Sequence, residues 1–397
     1  MATVSAPPHL RTFRWLTPVV AVAACAAGIL GAERTLAWLY PGLPWESPET
    51  GDHGMMFYRF DPYLGLFHEP GFTGTVDGVT YTHNAKGLRD REVPYDKPSG
   101  RQRILMVGDS LTWGYGVGDG ETFSDVLERS LPGTEVINLS VAGYGNGQEL
   151  LLLRHEGLRY EPDQVVLVFC VANDVEDNYL ADAVEAYPAN VFHLREGRLA
   201  IAPFRVGPLT RMAIALRERS YVVNFLGKRV LGAATRQPGL RRVTAIERAN
   251  LARLAAVGFD ESSWAGLRYL RMDDPPGEEH YRARGGLLAP TPLNHYKVEL
   301  TKQIVLEMAR EVRGRGADFA VVLSPFKAEL DPAGPYHENP LRRELARFLA
   351  AEGIATVDLL SRFESEGLDP DGLFLDGMHF SARGHEEVAR LLREALL

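Results

Sequence analysis

Cysteine is nearly absent: Cys25 and Cys170 are the two in 397 residues. One lies in an apolar N-terminal run and the other in a Val/Phe-rich run that reads as a buried strand. Neither a disulfide framework nor a cysteine-based metal site is therefore expected. Excess basic charge is also missing. The formal net charge of -9 excludes the basic footprint of a general nucleic-acid binder. No set of histidines and carboxylates has metal-ligand spacing, so no metal and no cofactor are expected. Gly114, Gly116, Gly118 and Gly120 lack both the Lys-Ser/Thr ending of a phosphate loop and Gly-x-Gly-x-x-Gly spacing; they read as a flexible loop. Internal repeats and low-complexity tracts are absent. What remains is an ordinary globular composition, 45% hydrophobic and 24% charged, in a chain sized for one large domain or a domain with an insertion.

The N-terminus departs from that composition. Arg11 and Arg14 precede Trp15 to Ala32, WLTPVVAVAACAAGILGA, which carries no charge. A run of this length spans the hydrocarbon core of a bilayer as a helix. The preceding arginines favour a cytoplasmic N-terminus, and Trp38 and Tyr40 suit the far interface. An uncleaved anchor, with the bulk of the chain on the extracytoplasmic side, is the expectation. A cleaved signal peptide competes, but the run stays apolar past any cleavage point. Val22-Ala23-Ala24-Cys25 also has the form of a lipoprotein box, although the sequence after Cys25 does not turn polar. From Pro41 to about Gly100 the chain is rich in Pro, Gly and aromatics and reads as a stalk and an irregular segment.

Alternation of strands and helices begins near Arg103. Ile104–Val107, Val136–Leu139, Val165–Val171, Phe319–Leu323 and Ile354–Val357 read as buried parallel strands. Phe123–Leu131, Gly147–Tyr160, Val298–Arg315, Leu341–Glu352 and Ala382–Leu396 read as helices. This pattern predicts an α/β fold, a doubly wound sheet of about five parallel strands, with its site at the carboxyl ends of the strands.

The chemistry falls at those ends. Gly108-Asp109-Ser110-Leu111-Thr112 follows the first strand and enters a helix, where nearby amides favour negative charge. A serine hydroxyl is a weak nucleophile without a base. Asp376-Gly377-Met378-His379, just before the last helix, offers an imidazole and a carboxylate to orient it. Asp109 is expected to hydrogen-bond the turn beneath Ser110 rather than to serve as that carboxylate. His385, on the last helix, is expected to be exposed.

These blocks, in order, resemble the SGNH (GDSL-type) hydrolase superfamily: Gly108 to Thr112; Gly143 after Asn138-Leu139-Ser140-Val141-Ala142; Ala172-Asn173-Asp174 after the third strand; and Asp376 to Phe380. The resemblance covers about residues 103–175 and 316–397. It implies the flavodoxin-like SGNH fold and a serine esterase in which Ser110 is the nucleophile, His379 the base and Asp376 its orienter. The implied oxyanion hole takes the backbone N–H groups of Ser110 and Gly143 and the side-chain amide of Asn173. One departure is Val171, where the family's third block opens with Gly. Asp174 reads as a cap on its loop, with substrate contact as the alternative. Thr82 to Arg89 resembles a stretch preceding the first block in anchored members and reads mainly as packing.

The expected organisation is residues 1–40 as cytoplasmic tail and anchor, 41–102 as stalk and irregular segment packed on the core, and 103–397 as the hydrolase domain. A largely helical insertion or lid interrupts that domain at 177–293, because a connection this long is usually functional. Between Arg205 and Arg253 it is rich in arginine, with Glu218 and Glu247 its acids, and Asp260 to Glu279 turns acidic. A solvated helical face, a surface for anionic membrane and a site for an acidic acylated polymer remain open for the basic block. The expected reaction is hydrolysis of an O-acyl (O-acetyl) ester on a cell-envelope glycan or lipid. An O-acyltransferase using the same residues is the runner-up, and a non-catalytic envelope binding protein is the remote third.

Overall fold

The computed structural model describes residues 9–39, 58–76, 78–179, 189–223, 226, 292–334, 336–337 and 339–396. The chain divides into two compact units. The first contains α1 (His9–Leu39) and α6 (Pro208–Arg219). The apolar stretch Thr17–Leu39 of α1 is 23 residues long with a mean hydropathy of 1.6 and is not buried. Length and composition suit a membrane span, and a signal sequence has the same properties.

The second unit opens with two antiparallel hairpins, β1 (Tyr58–Asp61) with β2 (Gly65–His68) and β3 (Thr73–Val76) with β4 (Val79–Thr82). There the irregular segment expected from sequence is more ordered than its Pro/Gly content suggested. Each strand has four residues, too short to show alternation, and the β1–β2 turn closes on Asp61, whose Oδ1 accepts from the amides of Tyr63 and Leu64. Residues 41–57 of that segment lie outside the described residues.

Next come β5 (Gln102–Gly108), α2 (Ser110–Trp113), α3 (Phe123–Ser130), β6 (Thr134–Ser140), α4 (Asn146–His155), β7 (Gln164–Cys170) and α5 (Asp174–Tyr179). The helix expected to run to Tyr160 ends at His155 and continues as a 3-10 turn, Gly157–Tyr160. Gly157, where the helix gives way, is tightly packed: a Cβ there would meet Leu139 at 2.4 Å and Leu153 at 3.0 Å. A further hairpin, β8 (Val191–Arg195) with β9 (Arg198–Ala202), precedes α6. The described part of the insertion expected to be largely helical is thus a hairpin and a helix. The rest of it, including most of the basic block and the acidic run, lies outside the described residues. The unit closes with α7 (Pro292–Gly314), β10 (Asp318–Ser324), α8 (Pro340–Ala351), β11 (Ala355–Asp358), α9 (Leu359–Ser365), α10 (Pro370–Leu373) and α11 (Ala382–Leu396).

Five strands form one parallel sheet in the order β6-β5-β7-β10-β11. Renumbered along the chain, this is the 2-1-3-4-5 order of flavodoxin-like folds, with its switch point between β5 and β7. Both sheet faces are covered, so the central strands β5, β7 and β10 are buried along almost their whole length and carry long apolar runs, whereas the edge strand β11 is largely exposed. Ile104, Met106, Val166, Val168 and Val322 join one core with Phe123 and Leu127 of α3 and Val388, Leu391 and Leu392 of α11. Their alternate neighbours Leu105, Val107, Val165 and Leu167 are equally buried and point to the other face, on which α4 packs. Buried Leu, Ile or Phe side chains contribute about 1.5–3 kcal/mol each, which makes the two-sided sheet the rigid base of the site.

Candidate active site

Ser110 lies where β5 turns into α2, one strand's width from β7 at the switch point. Gly108 permits the tight turn: a Cβ there would meet Thr112 Oγ1 at 2.1 Å and the carbonyl of Val168 at 3.2 Å. Asp109 caps α2, its Oδ1 accepting from the Leu111 amide at 2.9 Å. Burial raises the Asp109 carboxyl above its ordinary value, against the Leu111 amide, the His379 ring and the Asn173 amide, which lower it. Asp109 thus supports the turn beneath Ser110, as its position in the sequence suggested.

His379 arrives from the loop before α11. Its Nε2 is 2.9 Å from Ser110 Oγ and its Nδ1 is 2.8 Å from Asp376 Oδ2. Asp376 Oδ1 also accepts from the amides of Met378 and His379, both at 2.7 Å. Burial would raise this carboxyl, but the bonds from the His379 ring, its charge and the two amides outweigh it and hold it at about 2. An ionised carboxylate can only accept. The ring proton is therefore on Nδ1, and the Nε2 lone pair faces the serine hydroxyl. The loop is fixed from below, with Lys327 N donating to the carbonyl of Gly377 at 2.9 Å and Leu375 N to that of His379 at 2.8 Å. Tyr115 packs on the imidazole, ring centroids 4.7 Å apart.

Gly143 follows β6, the strand on the other side of β5, and has φ +82°, a conformation that favours glycine. Its loop is held by Tyr58, whose hydroxyl donates to the carbonyl of Ala142 at 2.6 Å, and by Tyr144, whose hydroxyl donates to the carbonyl of Leu66. Asn173 follows β7. Its side-chain nitrogen donates to Asp177 Oδ2 at 2.8 Å and to Asp109 Oδ2 at 3.3 Å. Val171 is buried in place of the family's glycine. Serine, imidazole and carboxylate in such a line can pass a proton from the serine to the ring during attack and return it to a leaving group. Among the described residues, no group of three or more His, Cys, Asp or Glu is placed to hold a metal ion.

The model of the GDSL-like lipase/acylhydrolase family matches residues 106–387, more than half of the chain. The chain belongs to this family. It is a serine hydrolase. A search of curated proteins finds no match. Among solved structures, it is similar to a member of the lipolytic protein G-D-S-L family from Veillonella parvula, at 11% identity and a TM-score of 0.36 over 74% of this chain and 97% of that one. It is also similar to the acetyl xylan esterase AlAXEase, at 11% identity and a TM-score of 0.39 over 74% and 100% of the two chains. A third is the psychrotrophic esterase EstA from Pseudoalteromonas sp., at 12% identity and a TM-score of 0.37 over 74% and 96%.

Behind the Asp376–His379–Ser110 line is a buried polar network that sequence reasoning largely missed. Asp174 Oδ2 accepts from the Cys170 amide at 2.7 Å and from Asn146 Nδ2 at 2.9 Å, capping the loop that carries Asn173. Asn146 Nδ2 also donates to Glu149 Oε2 at 3.0 Å. Asn178 donates to Asn146 Oδ1 and Thr301 Oγ1 and accepts from the Gly147 amide. Burial raises the Asp174 and Glu149 carboxyls well above their ordinary values, and Glu149 raises Asp174 further. The network ties the β7–α5 loop to the start of α4. Helical spacing of four between Asn173 and Asp177 was the available signal, legible only once residues 174–179 are known to be a helix.

Two other expectations change. His385 is 1% exposed, not on the surface. Its Nδ1 accepts from the Phe123 amide at 3.0 Å, joining α11 to the start of α3, and burial holds its pKa at about 3. The Gly114–Gly120 stretch is tied rather than loose. Arg89, from the Thr82–Arg89 segment, donates to the carbonyls of Trp113, Gly114 and Val117 and pairs with Asp119 at 3.2 Å. Its guanidinium lies over the rings of Tyr81 and Trp113. Arg89 therefore supports the loop directly after α2.

Proposed function

We propose that this acylhydrolase cleaves an O-acyl ester, an O-acetyl group in the first instance, on a glycan or lipid of the cell envelope. Ser110 Oγ attacks the ester carbonyl as His379 Nε2 takes its proton, and the Ser110 and Gly143 amides with Asn173 Nδ2 receive the charge on the carbonyl oxygen. Collapse expels the alcohol, which takes the proton from His379. Water, deprotonated by the same ring, then releases the acyl group from Ser110. Asp376 keeps the imidazole in the productive tautomer throughout.

The observation carrying this reading is the unbroken line Asp376–His379–Ser110, with links of 2.8 and 2.9 Å at the switch point of the sheet. Asn173 Nδ2 donates to Asp177 and Asp109 in this state, and an incoming oxyanion would replace one of these two carboxylates. The proposed organisation places the anchor at 1–40, the supporting segment at 41–102 and the hydrolase domain at 103–397, interrupted at 177–293. The apolar helix α1 supports attachment to the membrane with the site on the extracytoplasmic side.

The test is turnover of p-nitrophenyl esters from acetyl to octanoyl, run with and without acetylated and deacetylated envelope polysaccharide as competitor or acceptor. Fastest release from short acyl chains, with acetate liberated from the polysaccharide, is expected. Acyl groups appearing on the deacetylated polysaccharide faster than free acid would assign the acyltransferase reading instead. Preference for octanoyl and no action on polysaccharide would contradict the glycan assignment.

A further inference from the structure

Within the first unit, α6 carries its apolar face outward. At 100° per residue, Leu209, Met212, Ala213 and Leu216 share one side of the helix, while Arg211, Ile214, Ala215 and Glu218 share the other. The apolar side is the open one: Leu209 is 76%, Met212 56% and Leu216 49% exposed, whereas Ile214, Ala215 and Glu218 are partly covered. A helix packed on a globular core shows the reverse arrangement. Val223 and Leu226, just beyond α6, are also exposed.

A second observation fixes where this helix lies along α1. Glu33, the acid within the apolar stretch of α1, is bonded to Ser220 and the start of the helical segment Tyr221–Val223 that directly follows α6. Its carboxylate accepts from Ser220 Oγ, from the Tyr221 amide at 2.7 Å and from the Val222 amide at 3.3 Å. Within Thr17–Leu39, the residues not fully exposed are Glu33, Leu36 and Ala37, on the side that meets this segment. Glu33 is six positions before Leu39, or about 9 Å along a helix of 1.5 Å rise per residue. If α1 spans the bilayer, the end of α6 sits at the depth of the outer headgroup and upper acyl region. An acid at that depth needs hydrogen-bond donors, and Ser220 with the first amides of the following helical segment supplies three.

We infer that α6 is a second membrane-contacting element, lying in the outer leaflet beside α1 with Leu209, Met212 and Leu216 against acyl chains. The partner is the lipid bilayer itself. Amphipathic helices of this kind bury their apolar face at the boundary of headgroups and acyl chains, and Arg211, Arg217 and Arg219 against Glu218 give α6 the cationic excess that favours anionic headgroups. The inference rests on the proposed reading of α1 as a membrane anchor. It gives the insertion a role in holding the enzyme at the membrane as well as any role at the substrate.

The test uses the full chain, with Cys25→Ser and one added cysteine, in vesicles of phosphatidylcholine and phosphatidylglycerol. An environment-sensitive fluorophore is attached at Met212→Cys or Leu216→Cys, with Val20→Cys as the anchor control and Glu352→Cys as the aqueous control. Esterase activity checks that each variant is folded. Quenching by doxyl-labelled lipid at positions 212 and 216 is expected to be several-fold that at 352, and larger than at Arg211→Cys or Glu218→Cys. Strong quenching at 20 with none above the aqueous control at 212 and 216 overturns the inference and leaves the anchor standing. Absence of quenching at position 20 as well overturns both.

Discussion

Replacing Asp376 by asparagine should disable the site while leaving its shape intact. The Asp376 Oδ1 atom is held by two backbone amides at 2.7 Å, and Oδ2 faces His379 Nδ1 at 2.8 Å. An asparagine has one acceptor oxygen and one NH₂ donor group. The two amides require the oxygen on their side, because the opposite flip would set donors against donors. The NH₂ group must then face Nδ1, which can receive it only as a lone pair. The ring proton therefore moves to Nε2 and points at Ser110, which loses its base. A wrong tautomer of this kind costs about 10⁴ in kcat, about 5 kcal/mol of transition-state stabilisation. KM should change little, since Asp376 makes its bonds to the loop and the ring. Steady-state kinetics of D376N on p-nitrophenyl acetate, with circular dichroism to confirm folding, measure this directly. A variant within tenfold of wild type in kcat would refute the tautomer argument.

Other consequences follow from the same geometry. Asn173→Ala should lower kcat by about 10²–10³ with a smaller change in KM, the usual loss for one oxyanion donor; an unchanged kcat would remove Asn173 from that role. Arg89→Ala should destabilise the protein by a few kcal/mol, because the buried carbonyls of Trp113, Gly114 and Val117 lose their donor at about 1–3 kcal/mol each, and thermal unfolding would show a fall in Tm. Asp90 is held at about 7 by burial, partly offset by the Asn138 amide. Between 3.8 and about 7 the folded state holds a proton that the unfolded chain releases, so this group's contribution to stability falls as pH rises through that window. Asp90→Asn should therefore reduce the loss of Tm between pH 5 and pH 8, and a loss as large as in wild type would contradict the assignment.

Much of the parallel sheet was legible because its strands are covered on both faces and read as unbroken apolar runs such as Val165–Phe169. Their spatial order was not legible, since Ile104 pairs with Gln164 and Val136 through crossovers that leave no local pattern. The serine and histidine blocks could be read because each is a short motif at a strand or helix end, and Asp376 lies three residues from His379. That the two blocks meet across 269 positions is a property of the fold. Hairpins β1–β2 and β3–β4 escaped notice because four-residue strands show too little alternation. His385 was misplaced for a related reason: on an amphipathic helix its side depends on a partner amide, Phe123, that is distant in sequence. Arg89, the Asn146–Glu149–Asp174 network and the Glu33–Ser220 contact share that origin, since polar groups far apart along the chain meet where burial demands a partner.

The central claim, that Ser110 is the nucleophile activated by His379, is tested most directly by covalent labelling with a fluorophosphonate and mapping of the modified peptide by mass spectrometry. The geometry predicts one adduct, on Ser110, abolished in Ser110→Ala and slowed at least a hundredfold in His379→Ala. An adduct on another residue, or undiminished labelling of Ser110→Ala, would contradict it.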